Sequence, residues 1–70
     1  MLTFEVNDER NTVEVHADAA GLETLRKEID DLLAGDDHTH LMTKSWGGYG
    51  LTQERQGPGH LIHHVKIYHW

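Results

Sequence analysis

The side chains in this sequence best suited to chemistry are imidazoles. Seven histidines occur among seventy residues, and His38, His40, His60, His63, His64 and His69 all lie in the second half. Neutral imidazole is a ligand for zinc and related metals, and three converging rings supply most of a tetrahedral site. In an extended strand residues two apart point the same way, so His38 and His40 can both face an imidazole on a neighbouring strand. His63 is one such partner, making His38, His40 and His63 the candidate metal ligands and zinc the candidate ion. Register decides the point, because a slip of one residue brings His64 or His60 into that place instead. The competing reading has these rings as half-buried strand histidines hydrogen-bonded to backbone or acids, with no cofactor. No HExxH pattern favours the metal.

Other chemistries find less support. Ser45 is the only serine, cysteine is absent, and Ser45 is not in the G-x-S-x-G setting that exposes a nucleophile. A histidine beside an acid can serve as a general base, but both types are so abundant here that a pairing carries little information. A domain this small also has little room for a substrate cleft. The expectation is a protein that is not an enzyme, with no catalytic residues. Trp46-Gly47-Gly48-Tyr49-Gly50 has neither of the glycine spacings that cradle phosphate. Trp46 and Tyr49 instead suit contact with a partner, since tryptophan and tyrosine are common interface anchors; alternatively Trp46 folds back to complete a meagre core. Asp30, Asp31, Asp36 and Asp37, with Glu28, cluster where a helix is expected to end, and the helix dipole disfavours negative charge there by some tenths of a kcal/mol each. They are candidates for a patch that meets a basic partner, or else form a solvated face that serves solubility.

Positioning these residues falls to a few elements. Leu2, Phe4 and Val6 alternate with polar residues, as do Val13 and Val15 beyond a run of turn formers, which predicts a β-hairpin. Asp18 is a candidate N-cap, and Leu22, Leu25, Ile29, Leu32 and Leu33 predict a helix from Ala19 to Ala34 with those residues on its apolar face. Gly35 supplies the stop. His38 to Thr43 predicts a strand, and Leu61 to Trp70, rich in β-branched and aromatic residues on both faces, predicts a central one. Between them Lys44–Gly59 holds five of the seven glycines and the only proline, a loop with a short strand expected around Leu51-Thr52-Gln53. The fold class is α+β: one domain over residues 1–70, with a small, mostly antiparallel sheet of about four strands in the order β-β-α-β-β and one helix on one face.

Size and charge narrow the partners. At this length a single core supplies only about 3–5 kcal/mol of net stability, so a metal or an oligomer interface is an expected support once disulfides are excluded. A homodimer that pairs edge strands or aromatic faces is one such arrangement. No apolar run approaches the roughly 20 residues needed to cross a bilayer, and the first residues do not resemble a signal peptide; the chain reads as cytoplasmic, with no membrane partner. Its formal charge is −6, unevenly spread: residues 1–37 carry eleven acids against Arg10, Arg26 and Lys27, a net −8, while 38–70 carry a net +2. That balance disfavours nucleic acid and favours a basic protein surface.

The segments His38-Thr39-His40-Leu41-Met42-Thr43, Trp46-Gly47-Gly48 and His64-Val65-Lys66-Ile67-Tyr68-His69-Trp70 resemble a family of bacterial immunity proteins from polymorphic toxin systems, of the immunity protein 32 type. The first half is similar only in its strand and helix pattern. The resemblance implies a small α+β cytoplasmic protein that protects its producer by binding a cognate toxin, often a nuclease, without a cofactor or a catalytic role.

Overall fold

A computed structural model describes residues 1–70. The predicted hairpin is present as β1 (Leu2–Asn7) and β2 (Thr12–Ala17), antiparallel, with Leu2 opposite Ala17, Phe4 opposite Val15 and Val6 opposite Val13. Its turn closes through Asn11 at φ 51°, a left-handed conformation that asparagine adopts more readily than most residues. The helix, α1 (Ala19–Leu33), starts where Asp18 accepts a hydrogen bond from the Gly21 amide at 2.8 Å. Beyond it come β3 (His38–Met42), a single 3-10 turn at Lys44–Trp46, β4 (His60–Leu61) and β5 (His64–Tyr68). The α+β class and the order β-β-α-β-β hold, with an added two-residue strand.

Three features depart from the expected arrangement. The strands form two sheets, β2-β1-β4 and β3-β5, rather than one. The break falls inside the segment expected to be a single central strand: the Ile62 amide still donates to the Phe4 carbonyl at 2.8 Å, whereas the His63 carbonyl already accepts from the Thr43 amide at 2.9 Å. Adjacent residues thus pair with different sheets. The short strand expected at Leu51-Thr52-Gln53 is instead a stitch between them, the Leu51 amide donating to Met42 O at 3.3 Å and the Thr52 amide to Leu2 O at 2.8 Å. Gly48 permits this path, since a Cβ there would lie 1.9 Å from that of Met42.

The helix is also rotated from its expected orientation. Gly21, Glu28 and Leu32 are buried, and Leu25 packs on the core, whereas Leu22, Ile29 and Leu33 are exposed. Gly21 sets this roll: a side chain at that position would strike the Met1 carbonyl, so only glycine lets the helix lie this close to β1. Glu28 enters the inner face because the Thr39 hydroxyl on β3 donates to its carboxylate, satisfying a group otherwise costly to bury. The apolar core is correspondingly small, with Leu2, Leu41 and Leu51 at its centre and Phe4, Ala17, Leu25 and Val65 around them.

Candidate functional site

The register of β3 and β5 decides which histidines meet. Met42 stands opposite His64, His40 opposite Lys66, and His38 opposite Tyr68. Those six side chains share the outer face of the two-stranded sheet, while Thr39, Leu41, Val65 and Ile67 share the inner one. His40 therefore meets His64 across a diagonal, Nδ1 to Nε2 at 2.8 Å, and not His63. His38 lies edge-on to His40 with centroids 4.9 Å apart and stacks on Tyr68 at 5.8 Å. His63 lies in the bend before β5, its Nδ1 2.7 Å from the Thr43 hydroxyl. His38, His40 and His63 thus do not meet as a trio, and no group of three or more histidine, aspartate or glutamate side chains is arranged to hold a metal ion. His64 takes the place that a one-residue slip gives it; Lys66 and Tyr68 also belong to this face, and nothing in their spacing marks them, since only the pairing register identifies them.

Trp46 lies at one end of the face, stacked almost parallel on His63 at 6.0 Å and tilted against His64 at 6.2 Å. It remains 59% exposed, so it covers the histidines without entering the core. Tyr49 is likewise exposed. Ser45 Oγ comes within 3.4 Å of His63 Nδ1, but Thr43 Oγ1 already occupies that nitrogen at 2.7 Å, which is poor geometry for activating a serine. The one surface pocket, about 440 Å³, lies at the hairpin turn among Asn7, Asp8, Pro58 and His60, apart from the serine.

The acids at the end of the helix are arranged differently. Asp31 accepts from Lys27 at 2.9 Å, and Asp37 pairs with His38 at 2.7 Å. Asp30 and Asp36 are exposed and make no ion pair. The His38 hydrogen bond, helped by its charge, holds the Asp37 carboxyl below its usual range. Asp36 and Asp37 precede β3 and Trp46 follows it, so the acids and the tryptophan sit at opposite ends of the histidine face rather than in one patch.

Protonation is constrained on this face. Partial burial, then the charges of His38, His64 and Lys66, hold His40 below its ordinary value of 6.5. A histidine whose folded-state value is depressed contributes stability above 6.5 that is lost as the pH falls through that region. The melting temperature is therefore expected to fall between pH 7.5 and pH 5.5, and His40→Asn to flatten that slope. An unchanged slope in the variant would show that the His40–His64 contact does not govern it.

A family model described as Immunity protein 32 matches residues 12–65. No curated protein and no solved structure matches the chain. The matched span runs from β2 through α1, β3 and the glycine-rich loop into β5, well over half of the residues. On that span the chain belongs to the immunity protein 32 family.

Proposed function

We propose that this protein neutralises a bacterial toxin by binding it directly, without catalysis, in the cytoplasm of the producing cell. The observation that carries this reading is the family match over residues 12–65. The charge distribution supports a basic target: residues 1–37 have a net −8, and a nuclease that must attract phosphates presents the complementary field. No helix is long and apolar enough to cross a membrane, in keeping with action away from the bilayer.

The test uses the toxin domain encoded by the reading frame beside this protein's own gene. Co-expression is expected to restore growth to cells that the toxin alone arrests, and equimolar protein to abolish the toxin's activity in vitro. Because electrostatic steering is screened over roughly 10 Å at 0.1 M salt, association should slow at least tenfold, in order of magnitude, between low and high ionic strength. A toxin that stays active in the presence of excess protein refutes the reading.

A further inference from the structure

The apolar side chains this small domain leaves uncovered are not scattered. Val13 and Val15 of β2 are 62% and 47% exposed. They stand opposite Val6 and Phe4 and share the sheet face that bears Leu2 and Ala17, on which the helix rests. The helix covers the Leu2–Ala17 end of that face and leaves the Val6–Val13 end open. On the helix, Leu22, Ile29 and Leu33 are 56%, 43% and 73% exposed and recur at i, i+7 and i+11, in one line. The opposite flank, with Thr24, is turned towards Gly50. The apolar flank is therefore the one bordering the open part of the hairpin.

Two further features mark this corner as built for contact. β2 is the edge strand of its sheet, and its sequence TVEVHA has neither lysine nor proline to block an added strand. On the helix Glu23 is paired with Arg26 at 2.5 Å, Asp30 stands exposed three residues before Leu33, and the half-chain that carries both elements has a net −8. That charge selects the occupant. A second copy would bring a net −8 half-chain against another of the same sign, whereas a basic partner gains from the same field.

We propose that the toxin docks on the corner formed by β2 and the outer flank of α1, with Val13, Val15, Leu22, Ile29 and Leu33 as its apolar centre and Asp30 at its rim. This places the interface away from Trp46 and the histidine face. It rests on the toxin-neutralising reading above.

The experiment measures binding of the same purified toxin domain to the full-length protein, to Leu22→Lys/Ile29→Lys and to Trp46→Ala, with a thermal melt of each. Exposed positions tolerate substitution, so the double variant is expected to keep its melting temperature within a few degrees. Its affinity for the toxin domain should fall at least a hundredfold, while Trp46→Ala binds like wild type. Wild-type binding that survives the double variant, or is lost in Trp46→Ala alone, overturns this surface and leaves neutralisation standing. Absence of wild-type binding removes the functional reading and this proposal with it. A wild-type protein that is a dimer in low salt, and that Leu22→Lys/Ile29→Lys converts to a monomer, assigns the corner to a second copy and overturns the proposal as well.

Discussion

Leu41→Ala is expected to leave the protein largely unfolded at room temperature. Leu41 is completely buried and lies at the centre of a core in which only Leu2, Leu32 and Leu51 are the other buried apolar residues. Removing a leucine from such a position costs about 2–5 kcal/mol, the transfer energy plus the cavity left behind. A domain of this length holds only about 3–5 kcal/mol in total, so one truncation consumes most of it. The loss should be general, because Leu41 is where the two sheets meet: β3 carries it, the Leu51 stitch lies beside it, and Val65 of β5 stands opposite. Circular dichroism should show a collapsed melting transition. Leu33→Ala, at a position 73% exposed, supplies the contrast and should melt close to wild type. A Leu41→Ala protein that melts within about 5 °C of wild type, a shift worth roughly 1 kcal/mol in a domain this size, would show that the core lies elsewhere.

Glu5→Gln is expected to be nearly as damaging although it removes only a charge. Glu5 is 1% exposed on β1, on the sheet face away from the helix, and no lysine or arginine reaches it. Its carboxylate accepts from the Thr3 hydroxyl at 2.6 Å, the Gln56 amide at 2.9 Å and the Gly57 amide at 2.8 Å. It is thus the clasp that holds the glycine-rich loop against β1. Burial by itself raises this carboxyl, but the three hydrogen bonds and the nearby His16 outweigh it and hold the group below its ordinary 4.5. A glutamine keeps one acceptor oxygen and turns its amide hydrogens towards a backbone N–H, leaving at least one buried donor without a partner at a cost of about 1–3 kcal/mol. Hydrogen exchange should show the Gln56 and Gly57 amides losing protection before the hairpin does.

The pH dependence gives the same residue a second readout. Because the folded-state value of Glu5 lies below 4.5, its contribution is complete above that pH and is lost as the pH falls below it. Wild-type stability should therefore fall more steeply than that of Glu5→Gln below about pH 4.5, so that the two converge in acid. Parallel curves would mean that folding does not lower the Glu5 carboxyl.

How far these features could be read beforehand follows from the range over which each is decided. The hairpin, the helix from Ala19 and its Asp18 cap depend on neighbours within a few positions, and they stand where periodicity and turn chemistry put them. The inward face of the helix does not, because Leu22, Ile29 and Leu33 make as good a stripe as Gly21, Leu25 and Leu32. Only the close approach to Met1 and the Thr39 hydroxyl waiting for Glu28 choose between them. By type and setting Trp46 suits an anchor as well as a core lid; the structure stacks it on His63 yet leaves most of it in solvent.

By itself, then, the sequence determined the α+β class, the order of the principal elements, the acidic first half and the resemblance to immunity proteins, all carried by composition or by local pattern. Tertiary structure alone decided that His40 meets His64, that the last strand segment divides between two sheets, and that Glu5 clasps a loop fifty-one residues further along the chain. Those outcomes depend on pairing between distant segments, where a shift of one residue exchanges one face for the other, and nothing within a short window of sequence sets that register.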